Sequence, residues 1–559
     1  MKKPMKISYS KSLFAGGIAS IAIILTLVWI LVPTSQPEPL HGQTPAPAVA
    51  STDIPVLCDS NNNGPFDGKV LYVCVFGLVA KTDLKLIDKE SRNAFIDKWQ
   101  HKFDHGDTLN QEESAYSAIS SMVNDLHEMH TAFLPPKAAS QLSNAVQGDL
   151  IGIGAPMTRI GMRRALKALG ENPSQEALAT LNKITESTLL VVYPAPAAGS
   201  PAELAGLQQG DQIVAVDGNS IVGKTMKETV ADISGNGQAG TKVVLSIKRP
   251  SKVGLEDIEI AITRGALHFQ QVSTKALDKG YLYVRVLSFT KTVATELSDA
   301  LYLTCTGKAL PYDTKDLLAV IHSYQPEQDC GIKGVVFDFR NNGGGVMEEA
   351  LDMGQTIMQS GNTVTIKKRE GDRSVEVRQK IDGEHYVQEL AENGSIIKSV
   401  NSSRVFRVLP KIPMVALVNG MSASASEILV GMLRANGLAT VVGTPCFGKE
   451  VGQAFKPIDF GAAVKITTFR FLPGGVALDS GIIPDFEIEQ SDAFIDNPTV
   501  GEDSQLEKAI EVLGRGQEAM KEAQTAAAIE AKARRSIAVK AEHDKRDSKI
   551  MNQLNQQTN

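Results

Sequence analysis

The period of hydrophobic positions changes several times along the chain, and each change marks a region. Leu13–Val32 is uncharged and almost wholly apolar over about 20 residues, long enough to cross a hydrocarbon core as a helix. Residues 33–50 lose all periodicity and are rich in Pro, Ala and Gln, which predicts a flexible tether within a linker at 33–65. Helical spacing returns in Ser91–Phe103 and Gln111–Leu126, so 66–147 reads as a helical N-terminal region. From Gly148 to about Arg264 the pattern becomes short β runs between Gly and Pro turns: LIGIGAPM, TLLVVYP, QIVAVDG, KVVLSIKRP and DIEIAITR. One short helix, PAELAGLQQG, interrupts them. Residues 265–490 alternate strand with helix. GVVFDF (Gly334–Phe339) and MVALV (Met414–Val418) read as buried strands. Val346–Met358 carries helical spacing, as does Ala425–Ala435 through Ile428, Leu429, Met432 and Leu433. That alternation predicts an α/β core. The remainder, 491–559, is rich in Ala, Glu, Lys and Gln, has no proline after Asp503, and predicts a solvated helical tail.

Charge and composition narrow the picture. Lys2, Lys3, Lys6 and Lys11 precede the apolar run, and 33–50 contains no lysine or arginine, so the N-terminus stays cytoplasmic and the rest is exported. The segment 1–32 is expected to remain as a single-pass anchor, because Ala48-Val49-Ala50 lies too far beyond the apolar run for signal cleavage. At 559 residues and 43% hydrophobic content the chain accommodates several domains, and a net charge of -6 offers no basic field for nucleic acid. The five cysteines match no zinc spacing. In an exported chain Cys58 with Cys74 and Cys305 with Cys330 are candidate disulfides. Cys446 is left as a thiol that reads as a small buried hydrophobe.

The chemistry concentrates between Val418 and Gln453, VNGMSASASEILVGMLRANGLATVVGTPCFGKEVGQ. A serine between MVALV and the following helix sits near free backbone N–H groups and the positive end of the helix dipole, an arrangement that favours an oxyanion. By residue type alone Ser422, Ser424 and Ser426 are equivalent. Lys449 is the candidate base, which requires it to be neutral and hence buried. The apolar neighbours Val441, Val442, Phe447 and Val451 suit that. The glycines of NNGGG (Asn341–Gly345) permit positive φ and close backbone approach. HEMHT (His127–Thr131) fails as a zinc helix, since its histidines are three apart rather than four and FLPP breaks the helix that would carry them. Asp338 and Arg340 read as structural.

Three motifs in order, the segment SPAELAGLQQGDQIVAVDG (Ser200–Gly218) preceded by LIGIG, then FDFRNNGGG, then NGMSASASEIL with GTPCFGKEVGQ, resemble the carboxy-terminal processing proteases, also called tail-specific proteases. The likeness runs from about Leu126 to Asp485, and GIIPDFEI (Gly481–Ile488) is similar to the family's closing strand. It implies a PDZ-like domain at 148–264 placed before a crotonase-like α/β serine protease core at 265–490. It also implies a Ser424/Lys449 dyad assisted by Gln453, an oxyanion hole from the N–H groups of Gly344 and Ala425, and a peptide-carboxylate loop at Leu150, Ile151, Gly152, Ile153 and Gly154. Met157–Glu186 departs from the family as an insertion beside that loop.

The function this implies is cleavage of exported proteins at or near their C-termini, through an acyl-enzyme, with the substrate's tail recognised or gated by the PDZ-like domain. No metal or cofactor is expected. Expected partners are proteins or peptides with free C-termini, an activating adaptor and further copies of the chain. The expected location is the bacterial inner membrane, with the catalytic part in the periplasm. The alternative from another class is a silent or partner-activated PDZ scaffold that binds peptide tails.

Overall fold

The computed structural model describes residues 58–516 apart from 160–189, 492–501 and short loops of one to five residues. The expected anchor at 1–32, the tail beyond 516 and most of the Met157–Glu186 insertion lie outside the described residues. Among those described, no helix is long and apolar enough to cross a membrane.

The core is built on two sheets. In the first, Tyr281–Val286, Gly334–Asp338, Met414–Val418 and Ala439–Gly443 run parallel, with Val272–Ala276 antiparallel at one edge and Phe486–Glu487 parallel at the other. Gly334–Asp338, Met414–Val418 and Ala439–Gly443 are buried at every position. Continuous apolar strands of this kind need cover on both faces. Helices Met347–Ile357 and Ala425–Ala435 cover one face, packed so tightly that a Cβ on Gly354 would lie 2.6 Å from Met432 Cε.

Helix Ser504–Gly514 covers the other face, where Ala509, Val512 and Leu513 pack on Val336, Val415, Leu417 and Val442. For Ser504–Gly514 this corrects the expectation of a solvated tail. Leu506, Ala509, Val512 and Leu513 recur at spacings of three and four, a core-facing stripe that the segment's polar composition obscured.

The second sheet is antiparallel, ordered Ala132–Leu134, Ala463–Pro473, Gly361–Glu370, Arg373–Asp382, Tyr386–Ala391, Ile396–Asn401, with Val451–Pro457 on the opposite side of Ala463–Pro473. Helix Ala425–Ala435 reaches this sheet too, with Gly431 against Pro473. The N-terminal helices Gly68–Thr82, Lys89–Trp99 and Glu112–Asn124 start at acidic caps where the sequence supplies them. Asp67 accepts the N–H groups of Lys69 and Val70, and Asp88 that of Ser91. Their core of Leu71, Val75, Ile119 and Met122 continues into Phe133, Val464 and Ile466 of the second sheet. The helical region is therefore packed on Ala463–Pro473, the strand that pairs with the one carrying Gln453. Disulfides join Cys58 to Cys74 and Cys305 to Cys330, and Cys446 is a buried thiol.

The β-rich module pairs Met157–Arg159, Leu190–Val192, Gln212–Val216, Lys242–Ser251 and Gly254–Thr263 in one sheet around Leu190, Ile213, Leu245 and Ile262. It enters and leaves through a two-stranded stem, Asp149–Gly152 against Gly265–His268. Since Ala132–Leu134 already belongs to the second sheet, the module interrupts the core rather than simply preceding it.

Candidate active site

Ser424 caps helix Ala425–Ala435, directly after the loop that leaves strand Met414–Val418. Its φ of 57° and ψ of −113° place a side chain-bearing residue in a region normally occupied by glycine, and it is fully buried. Such a conformation persists only where the surroundings over-determine it. Here they do: the Ala423 N–H donates to Asn342 O at 3.1 Å and the Ser424 N–H to Glu427 Oε2 at 2.8 Å.

The neighbouring serines differ from it. The Ser422 hydroxyl donates to Phe339 O at 2.9 Å and the Ser426 hydroxyl to Asn342 O at 2.8 Å. Both therefore stitch the serine loop to the FDFRNNGGG segment. The three residues that the sequence leaves equivalent are distinct in the fold, and Ser424 alone among them has a positive φ.

Lys449 lies after Gly448, whose φ is 87°. Its Nζ donates to Gln453 Oε1 at 2.8 Å, with the lysine 4% exposed and the glutamine fully buried. The amide is oriented by what holds its other end, since Nε2 donates to Thr467 Oγ1 at 3.2 Å. Burial pulls the Lys449 ammonium from its ordinary range down to about 7, and the cation of Lys465 acts the same way. Glu128 and Glu427 oppose it. At neutral pH the side chain therefore holds a substantial neutral fraction, as a base must.

Glu427 was not singled out from the sequence, and it joins the two halves of the site. Its Oε2 accepts the N–H groups of Ser424 (2.8 Å) and Lys449 (3.0 Å), and its Oε1 that of Gly448 (2.8 Å). The signal was available: Ser424-Ala425-Ser426-Glu427 is an S-x-x-E capping box. Burial raises the Glu427 carboxyl to about 7 against these three donors. Thr467 was missed as well; sheet pairing brings it to Gln453, and it brings Thr131, the end of HEMHT, to the Thr467 N–H.

The NNGGG turn is locked against Phe289: the Phe289 N–H donates to Gly344 O at 3.0 Å and the Val346 N–H to Phe289 O at 2.7 Å. A Cβ on Gly345 would lie 2.2 Å from that same Phe289 oxygen, and the φ of 144° excludes other residues as well. The expected oxyanion donors fare differently. Ala425 opens its helix, where an N–H has no intrahelical acceptor. The Gly344 N–H, however, donates to Asn342 Oδ1 at 2.9 Å, so in this structure it is turned into its own loop.

Arg340, at the start of the turn, is held between Asp338 and Asp503 by paired hydrogen bonds to each, and Arg285 also pairs with Asp338. Burial works against the Asp338 carboxylate, but Arg285 and Arg340 overcome it and hold the group well below the usual carboxylate range. These bonds tie the start of the turn to Asp503, just before helix Ser504–Gly514.

The five residues expected to form a peptide-carboxylate loop differ in their local structure. Leu150, Ile151 and Gly152 are strand, paired with Leu267, Ala266 and Gly265 of the stem. Ile153 is buried and accepts the Ala202 N–H at 2.8 Å. Gly154, with φ of 77°, turns beneath Ser200. Of the five residues, Ile153 and Gly154 lie outside the strand. Among the described residues one group has metal-type ligands close together, Cys58, Cys74 and Asp459, and its two cysteines are joined as a disulfide.

With this geometry in view, residues 280–488 match the profile of Peptidase family S41 and residues 192–249 that of the PDZ domain. The carboxy-terminal processing protease CtpA of Bacillus subtilis is 27% identical over 395 residues, covering 70% of this chain and 68% of the relative. The carboxy-terminal-processing protease of Bartonella bacilliformis is 26% identical over 388 residues, covering 68% and 78%. Among solved structures, the photosystem II D1 C-terminal processing protease aligns with a TM-score of 0.41 at 22% identity, covering 80% of this chain and 97% of that one. The chain is thus a serine-type peptidase with a family S41 domain at 280–488 and a PDZ domain at 192–249, similar to the carboxy-terminal processing proteases.

Proposed function

We propose that the chain is an endopeptidase that cleaves exported proteins at or near their C-termini, with Ser424 as nucleophile and Lys449 as general base. The observation that carries this reading is the pair held by Glu427: a buried serine in a strained conformation at a helix N-terminus, and a buried lysine whose amine is fixed by Gln453. Neutral Lys449 takes the Ser424 hydroxyl proton as Oγ attacks the scissile carbonyl. The Ala425 N–H stabilises the developing oxyanion, joined by Gly344 once its N–H leaves Asn342. The resulting ammonium gives its proton to the leaving amine, and an acyl-enzyme remains on Ser424. Water, deprotonated by Lys449, then releases the acid and restores the serine. Gln453 fixes the amine without adding a negative charge that would raise its proton affinity.

In this reading the PDZ domain recognises or gates the substrate's tail, and residues 13–32 hold the catalytic part on the periplasmic side of the inner membrane. Activation by an adaptor protein or by assembly of several copies is the form of the proposal favoured by the inward Gly344 N–H.

The test uses the full chain and an unstructured protein such as casein. Cleavage by the wild type, together with its loss in Ser424→Ala and Lys449→Ala, is the expected result. Undiminished cleavage by either variant overturns the dyad. A wild type that binds peptide tails, alone or with added adaptor, without ever cleaving them favours the scaffold reading.

A further inference from the structure

HEMHT fails as a metal motif, yet the fold carries it to the dyad. Thr131 ends this segment and leads into strand Ala132–Leu134, which flanks Ala463–Pro473 on the side opposite Val451–Pro457. Ala132 stands opposite Lys465, and the Thr131 hydroxyl accepts the Thr467 N–H at 3.0 Å while donating to Asp83 at 2.9 Å. Thr467 in turn faces Gln453 in register and binds its amide. Residues two apart on a strand share a face, so Lys465 lies on the face that carries Thr467 and Gln453. In the turn before strand Ala132–Leu134, Glu128 Oε1 accepts the His130 N–H at 3.0 Å and lies 3.3 Å from His130 Nδ1, and the Glu128 charge acts on both Lys449 and Lys465. Glu128 and Lys465 are each 9% exposed, the figure for Glu128 referring to its side chain.

We propose that Glu128, from the helical N-terminal region, and Lys465, from the second sheet, are opposed positioning residues for the proton on Lys449 and together set the pH at which it becomes a base. The inference rests on the dyad reading above and deepens it.

The groups facing Lys449 come from three elements: Glu427 from helix Ala425–Ala435, Lys465 from strand Ala463–Pro473, and Glu128 with His130 from the turn before Ala132. Two further groups stand one step away. Asp83, backed by Arg369, faces Glu128, and the Cys446 thiol faces Glu427. Glu128 stabilises the Lys449 ammonium and Lys465 destabilises it. His130 is uncharged in the working range, because burial and then Lys449 pull it down to about 4. The carboxylate that Glu128 presents also stabilises the ammonium formed when Ser424 is deprotonated, so the N-terminal helical region contributes to the charge balance of the reacting pair.

The experiment is the pH profile of kcat/KM for casein, read at its acid limb, in the full-length wild type, Glu128→Gln and Lys465→Met. Gln keeps the acceptor for the His130 N–H and removes only the charge. The limb of Glu128→Gln is expected to move to lower pH and that of Lys465→Met to higher pH, each by about half a unit or more. A second readout independent of turnover is the pH dependence of Lys449 modification by an amine-directed reagent, followed by mass spectrometry, with the same opposite shifts expected. Limbs that stay in place or move in the same direction overturn the proposal, as does a limb that disappears in His130→Asn, which would make the histidine the titrating group. If the dyad reading itself fails, the sign is different: Lys449→Ala retains activity and the acid limb.

Discussion

The Glu427 carboxylate accepts the N–H of Ser424 at 2.8 Å and, through the same oxygen, the N–H of Lys449 at 3.0 Å. One buried side chain thereby fixes two segments that lie 25 residues apart in the chain, each at the point where its proposed catalytic group departs. Glu427→Gln must turn an NH₂ group toward at least one of three donors. A misplacement of about 1 Å in a catalytic pair costs about 10²-fold, so kcat/KM on casein is expected to fall by that order. Loss of charge-assisted hydrogen bonds costs about 1.5–3 kcal/mol, and urea unfolding of Glu427→Gln at about pH 8, above the value of about 7 to which burial raises its carboxyl, should register a loss in that range. Unchanged kinetics in a variant with lowered stability would confine Glu427 to a structural role.

Lys449 gives the pH dependence its sign. Burial holds its value down to about 7, below the ordinary lysine range. Below that pH the group is an ammonium and cannot take the serine proton; above it the amine is free. Activity is therefore expected to rise through neutrality toward a plateau at about pH 8, measured as kcat/KM across a constant-ionic-strength buffer series. Lys449→Arg replaces the amine with a guanidinium that stays protonated, and is expected to be inactive at every pH.

Thr467 tests the support behind the dyad. Its hydroxyl accepts from Gln453 Nε2 at 3.2 Å, which leaves the Gln453 oxygen facing Lys449. Thr467→Val preserves shape and the backbone N–H to Thr131 but removes that acceptor. The amide can then rotate, and kcat is expected to drop about 10-fold with KM little changed, the pattern of a lost interaction on the reacting groups rather than on substrate binding. A rise in KM alone would place the effect in substrate binding.

What could be read from the chain was what short periods encode. MVALV and GVVFDF announce their strands, the spacing from Ile428 to Leu433 announces the helix after the serines, and Ser424, Lys449 and Gln453 fall within one stretch of 36 residues. What could not be read depends on pairing across long separations. Thr131 meets Thr467 across 336 positions, and Asp503 meets Arg340 across 163. No local pattern specifies either contact. Polar composition hides the burial of helix Ser504–Gly514, and the strand that pairs with Asp149–Gly152, Gly265–His268, lies beyond the whole module.

Asp503 should therefore matter although it lies outside the matched family segment. It makes two hydrogen bonds of 2.8 Å to the Arg340 guanidinium, just before the NNGGG turn. Removing one member of a buried charge cluster costs about 3–5 kcal/mol, and Asp503→Ala is expected to lose about that in urea unfolding, toward the lower end because Asp503 is partly exposed. Casein cleavage should fall with it, as Arg340 no longer fixes the base of the turn. A variant as stable and active as the wild type would detach helix Ser504–Gly514 from the site.

Glu348 offers a prediction in the opposite direction. It lies in the first turn of helix Met347–Ile357, its Oε2 is buried without a hydrogen-bond partner, and burial raises its carboxyl to about 7. With a folded value above the unfolded one, the folded state keeps a proton that the unfolded chain has released between about pH 4.5 and 7, so ionising this group lowers stability as pH rises through that window. Below about pH 4.5 both states are protonated and the cost is absent; above 7 it is complete. Glu348→Gln cannot ionise. Its unfolding free energy relative to wild type is expected to be near zero at pH 4 and to grow to roughly 2–3 kcal/mol in its favour at pH 8. Chemical denaturation at the two pH values measures the difference directly. An equal effect at both would mean that Glu348 is neutral throughout, or is matched by a cation in the folded state.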